Sequence, residues 1–167
     1  MAEFVEAAVK VSIAVKIAEK VSLEVRISSC APWISENTGV KIDPPNFQKQ
    51  LRSGTVLCML ANAIQKDIIP KFEKPKIGEI TDFIFPPMAE VDNIKLFIEA
   101  CKKLGVPNDD LFEPKDLHAN SNLERFVHTL EVLSTICASQ HKHVKGSAGV
   151  MAAIVKAAEN VKEKILS

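Results

Sequence analysis

The 167-residue chain has no tyrosine, one tryptophan and only six glycines. So few of the residues that favour strands and tight hairpin turns argues against a multi-stranded sheet. No sign of charge predominates: 21 basic groups balance 21 acidic ones, so nucleic acid is not expected as a ligand. No apolar run reaches the roughly 18 residues that span a bilayer, and Glu3 and Glu6 stand where a secretory leader would be basic. The four cysteines, Cys30, Cys58, Cys101 and Cys137, form no C-x-x-C pair, and three fall on apolar helical faces. They read as reduced core residues of a cytoplasmic protein. No Ser/His/Asp or Cys/His arrangement announces catalysis, so neither an enzyme nor a cofactor is expected.

What remains is rich in Ala, Leu, Lys and Glu, a composition that favours an all-α fold built as one compact core. The organising stretch is SGTVLCMLANAI at 53–64. Val56, Leu57, Leu60 and Ile64 recur at helical spacing, while Cys58, Met59 and Ala61 leave few polar positions elsewhere. The pattern predicts a buried central helix, with Ser53 as its N-cap.

Upstream, apolar residues at odd positions from Val9 to Ile27 fit a strand period, yet Val9, Ile13, Ile17, Val21 and Val25 also recur every four residues. Helix is favoured for about 3–19, with a break near Ser22 and a second helix from Leu23 to Asn37. Pro32 inside that helix predicts a kink or a helix start just before Trp33, which is expected to anchor the core. Asp43-Pro44-Pro45 opens a short helix through Phe47 and Leu51. Residues 66–87 read as a long connection, with a turn of helix around Ile77 to Phe83. Val91 to Leu104 is a helix closed by Gly105, and Ser121 with Glu124 is spaced as a capping box for a last core helix running past Leu133 to Cys137. Beyond Gln140, HKHVKGSAG reads as a basic linker to an amphipathic helix with Val150, Ile154, Ala157, Val161 and Ile165 on one face. That face needs a cover from its own domain, a second copy or another protein.

Charge is uneven along the chain: residues 1–30 are neutral, 31–140 carry −3, and 141–167, with five basic and two acidic groups, carry +3. The exposed cations Lys71, Lys74 and Lys76 of the connection, and Lys142, His143 and Lys145 of the tail, are the candidate partner-binding residues. His141 and His143 have chelating spacing but no carboxylate or thiolate nearby in sequence. His118 and His128 are expected as ordinary hydrogen-bonded histidines. Asp109, Asp110, Glu113 and Asp116 fit caps and turns better than a calcium loop, since the twelve-residue ligand spacing is missing.

Trp33-Ile34 with Thr38-Gly39, Phe47 and Leu51, LRSGTVLCMLAN at 51–62, DNIKLFIEACKKLGVP at 92–107 and DLFEPKDL at 110–117 resemble a calponin homology (CH) domain. The subtype it most resembles is the single-domain kind of calponin and transgelin, over about residues 16–140. The resemblance implies a bundle of four main helices plus short connecting helices, here with extra N-terminal and C-terminal helices. It divides the chain into a lead-in at 1–21, the CH domain at 22–140 and a basic linker with amphipathic helix at 141–167. It also implies structural roles for the positions matching Trp33, Leu51, Gly54, Leu57, Leu60, Asn62, Asn93, Ile94, Phe97, Gly105, Leu111, Phe112, Asp116, Leu117 and Leu130.

By the same resemblance the chain is expected to be a cytoplasmic, cytoskeleton-associated, non-enzymatic module. Its expected partners are F-actin or actin-associated and signalling proteins, with self-association through the terminal helices as a further expectation. The alternative is a regulatory or autoinhibitory domain of a Rho-type exchange factor that touches no filament. Pro32 departs from the family pattern in a helix that contributes to filament contacts in tandem domains. A single domain of this subtype is a weak or absent actin binder alone.

Overall fold

A computed structural model describes residues 21–74 and 87–166. These form α1 (Leu23–Thr38), α2 (Phe47–Leu51), α3 (Thr55–Ile64), α4 (Pro87–Lys103), α5 (Pro114–His118), α6 (Leu123–Gln140) and α7 (Ser147–Leu166). Short 3-10 turns occupy Pro44–Asn46 and Asn108–Asp110, and no strand occurs among the described residues. The all-α expectation holds. The helices expected at 3–19 and around Ile77 to Phe83 lie outside the described residues.

α3 sits at the centre, as its nearly continuous apolar surface requires: Leu57, Cys58, Leu60 and Ala61 are fully buried, and it packs against both α1 and α4. Its start corrects one expectation, since Ser53 does not cap it. Gly54 occupies the N-cap position with φ 77°, and the Ser53 hydroxyl accepts only a long 3.3 Å bond from the Thr55 amide. The cause is a close crossing: a Cβ on Gly54 would lie 2.7 Å from Asn93 Cβ and 2.9 Å from the Ile94 nitrogen on α4. α3 and α4 touch there backbone to backbone, and only glycine fits.

α1 runs from Leu23 through Pro32 to Thr38, against the expected late start before Trp33. Pro32 is exposed, so the carbonyl of Ser28, which loses its usual amide donor, lies on the solvent side. On the buried side Trp33 and Ile34 enter the core, and Arg26, 1% exposed, reaches α6. Its Nε donates to Glu131 Oε2 at 3.1 Å and its Nη1 to Glu124 Oε1 at 3.2 Å. Burial alone would lower the guanidinium pKa, but the hydrogen bonds and charges of Glu131 and Glu124 hold it above its ordinary value.

That ion pair also explains why the expected Ser121–Glu124 capping box is absent. Glu124 turns to Arg26, and Asn122 caps α6 instead, its Oδ1 accepting from the Arg125 amide at 3.1 Å. α4 starts at Pro87, a full turn before the expected Val91. Phe47, Phe126, Phe112 and Phe97 pack in series, with the Phe112 and Phe126 rings edge to face at 4.8 Å, joining α2, α4 and α6. Asp116 caps as expected, its Oδ2 accepting from the Glu113 amide at 2.8 Å. The 108–110 turn hangs from α6, where Thr129 Oγ1 donates to the Asp110 carbonyl at 2.6 Å and His128 Nε2 meets Asp110 Oδ1 at 2.8 Å.

Over its first half the amphipathic face of α7 finds its cover on its own chain, while the side chains of Val161 and Ile165 lie outside the described residues. Val150, Met151 and Ile154 are buried against α1 and α6. Trp33 Nε1 donates to Ser147 Oγ at 3.0 Å, tying the first turn of α7 to the middle of α1.

Candidate interaction surface

The candidate cations fall on two segments, and each is fixed by an asparagine that behaves like a strand partner. Asn62, on α3, donates from Nδ2 to the Ile69 carbonyl at 3.0 Å and accepts from the Ile69 amide at 2.9 Å. Asn93, fully buried on α4, donates to the Glu73 carbonyl at 2.8 Å, accepts from the Glu73 amide at 3.0 Å, and also donates to the Ser53 carbonyl at 3.1 Å. Residues 65–74 therefore lie as a strap along α3, running back from its C-terminus to its N-terminus. Thr55 Oγ1 donates to the Glu73 carbonyl there at 3.3 Å.

The third clamp sits in the tail. Asn37, at the end of α1, donates to the Lys145 carbonyl at 2.8 Å and accepts from the Lys145 amide at 3.0 Å. His143 Nε2 lies 2.9 Å from the Ile64 carbonyl, and Val144 is buried. Residues 141–146, expected as a basic linker, form a docked turn. The H-x-H spacing serves this docking, because one of its two rings is held against the end of α3.

These contacts place the candidate residues. Lys142, His143 and Lys145 stand exposed beside the C-terminal end of α3, near exposed Lys66 at the head of the strap. Lys71 and Lys74 are exposed farther along, with Lys74 Nζ 5.1 Å above the ring of Phe72. Lys76 lies outside the described residues. Since Thr55 and Ile64 are nine helical steps, about 14 Å, apart, the tail cations and Lys74 occupy opposite ends of α3. The two basic groups are not merged into one patch.

His118 and His128 meet Glu90 and Asp110, ordinary pairings as expected. All four cysteines are buried free thiols. Burial pushes Cys58 and Cys137 up to about 12 and raises Cys30 and Cys101 further, so all four stay protonated and unreactive near neutral pH. No cluster of His, Cys, Asp or Glu among the described residues is arranged to hold a metal, and no described helix is long and apolar enough to cross a membrane.

Two of the open grooves on the described surface lie beside the longer helices. One, about 600 Å³, lies between α1 and α7, and the other, about 930 Å³, lies between α4 and the 108–116 segment.

Comparison with known proteins matches residues 24–139 to the calponin homology (CH) domain family. The chain belongs to that family. The CH region is 35% identical over 106 residues to myophilin of Echinococcus granulosus, covering 63% of this chain and 52% of the relative. It is 34% identical over 90 residues to LIM and calponin homology domains-containing protein 1 of Xenopus laevis, covering 54% of this chain and 8% of that protein. It is also 34% identical over 91 residues to human calponin-2, of which it spans 26%. The chain thus spans about half or less of the curated relatives it matches. Among solved structures, the CH domain of an IQGAP protein from Schizosaccharomyces pombe superposes with a TM-score of 0.59 at 23% identity, covering 84% of this chain and 89% of that one. That likeness establishes the shared fold.

The CH fold accounts for the structural positions implied by the sequence motifs: Trp33, Leu51, Leu57, Leu60, Ile94, Phe97 and Leu117 are all core residues. What the motifs missed was the purpose of the asparagines. Asn62 and Asn93 stand inside helices, where asparagine is a poor former, and each precedes or follows a long connection. That combination is a usable signal for a side chain that pins a loop.

Proposed function

We propose that this CH domain is a cytoskeletal interaction module that associates weakly with actin filaments or actin-associated proteins, assisted by the cations of its C-terminal turn. The observation that carries the reading is the CH match over residues 24–139, joined to the placement of Lys142, His143 and Lys145 in one fixed, exposed turn. The body from 31 to 140 carries −3 and the tail +3. An acidic filament surface would repel the former and attract the latter.

The test is co-sedimentation of the whole chain with filamentous actin at low and physiological salt, with Lys142→Glu/Lys145→Glu and Lys71→Glu/Lys74→Glu as variants. Weak pelleting that falls with salt and is lost with the first pair is the expected result, because screening shortens to about 8 Å at physiological ionic strength. Deleting residues 141–167 is the wrong experiment, since it uncovers Trp33. Absence of pelleting at low salt would reject filament binding and favour a regulatory domain that docks on a neighbouring part of a signalling protein.

A further inference from the structure

The groove between α1 and α7 shares Gly146 with the basic turn but takes none of its cations into its lining, and its chemistry is selective. Val25, Pro32 and Val150 supply apolar walls over the edge of Trp33, while Ser28, Gly149 and Ala153 keep both helices low. Val25 is 38% exposed, and a Cβ on Gly149 would meet nothing within 4 Å. Both charged residues of the lining are acidic: Glu24 at one end of α1 and Glu36 at the other. Glu36 lies in the last turn of α1, with its carboxylate beside Gly146 at the start of α7.

Glu24 and Glu36 are twelve residues apart, about 18 Å along α1, the length of a three-turn helix. The groove's roughly 600 Å³ falls within the ~300–1,000 Å³ range of ligand-holding clefts. The other groove lacks this selectivity. There Lys102 is paired with Glu99 at 2.8 Å and Lys115 with Glu113 at 3.2 Å, so its rim is largely self-neutralised.

We infer that the α1/α7 groove docks a short amphipathic helix of a partner protein, its apolar stripe laid between Val25 and Ala153 and its Lys or Arg residues meeting Glu24 and Glu36. The low walls let the helix axis approach to the ~8–10 Å of ordinary helix packing. This occupant is opposite in charge to an acidic filament, so the domain presents two adjoining surfaces of different selectivity.

The test uses the full chain and three synthetic 18-residue peptides: one with leucines at i, i+3, i+4, i+7 and lysines flanking the stripe, a scrambled version of equal composition, and one with every lysine replaced by glutamate. Trp33 is the only tryptophan and edges the groove, so its fluorescence reports binding directly. Saturable binding of the first peptide above the scrambled one is expected. Glu24→Lys/Glu36→Lys should weaken it by about tenfold, each exposed charge contributing up to about fivefold, and should raise affinity for the acidic peptide. Ala153→Trp should block both, with circular dichroism confirming that each variant is folded. Equal binding of the scrambled peptide, indifference to charge reversal, or no saturation up to about 1 mM, weaker than ~4 kcal/mol, would overturn the inference. So would sedimentation equilibrium showing that the groove is closed by a second copy. Actin co-sedimentation should be unmoved by Ala153→Trp, which separates this proposal from the preceding one.

Discussion

Gly54 and Gly39 share the same φ of 77° but have opposite surroundings, and replacing each by alanine isolates what close helix approach is worth. At Gly39 an added Cβ meets nothing within 4 Å, so the substitution carries only the left-handed backbone penalty of about 1 kcal/mol. At Gly54 the same penalty applies, and the Cβ would also sit 2.7 Å from Asn93 Cβ and 2.9 Å from the Ile94 nitrogen, where contact distance is about 3.5–4 Å. Neither neighbour is the free end of a flexible side chain. Relief therefore means moving α4 off α3 by roughly an ångström, which loosens Ile94 and lengthens the 3.1 Å bond from Asn93 to the Ser53 carbonyl. Overpacking of this kind costs about 1–3 kcal/mol, so Gly54→Ala should lose about 2–4 kcal/mol in all. At about 2–4 °C per kcal/mol for a chain of this size, the melting temperature should fall by roughly 4–16 °C. Urea unfolding followed by circular dichroism measures both variants, with an unchanged m-value confirming that stability alone has moved. Equal losses at Gly39 and Gly54 would refute the close-approach argument.

Arg26→Met alone leaves Glu131 buried and uncompensated and should cost about 3–5 kcal/mol in urea unfolding, whereas Arg26→Met/Glu131→Leu should recover most of that loss because Glu124 is exposed and rehydrates. Trp33→Phe removes the bond to Ser147 and should cost about 1–2 kcal/mol, with hydrogen exchange accelerating in α7 before α3. The four thiols hold their protons in the folded state and release them near pH 9 when unfolded. The unfolded state then binds fewer protons, so stability should be full below pH 9 and fall above it, by up to about 1.4 kcal/mol per pH unit for each cysteine. Chemical denaturation between pH 8 and 11 checks the sign, and iodoacetamide should label none of the four in the native protein at pH 8.

The helices were legible where burial repeats with helical period: Val56, Leu57, Leu60 and Ile64 gave α3, and Leu123, Phe126, Val127 and Leu130 gave α6. Their ends were less so, because a cap depends on which groups tertiary structure leaves free. Ser121 and Glu124 have the spacing of a capping box, but Arg26 lies 98 residues from Glu124 in sequence and still takes its carboxylate. Pro32 misled for a related reason, since its cost depends on whether the orphaned carbonyl faces solvent, and periodicity alone did not say so. For the candidate surface, exposure of Lys71, Lys74, Lys142 and Lys145 was predictable from charge. Their division between the two ends of α3 was not, because it rests on clamps joining Asn37 to Lys145 and Asn93 to Glu73 across 108 and 20 residues.

Those clamps bear on how the tail can act. An asparagine side chain offers one acceptor and paired donors at the spacing of a peptide group, so Asn37, Asn62 and Asn93 can each hold an irregular segment by both its amide and its carbonyl without a sheet. Asn37 holds Lys145, His143 reaches Ile64, and Trp33 holds Ser147. The basic turn is thereby anchored to α1, α3 and α7 together, so its backbone has little ordering entropy left to lose on binding and only the lysine side chains remain to be ordered. A partner that meets Lys142 and Lys145 meets a preformed surface, so substitutions at these side chains should change affinity without changing stability, whereas substitution of Asn37 should change both.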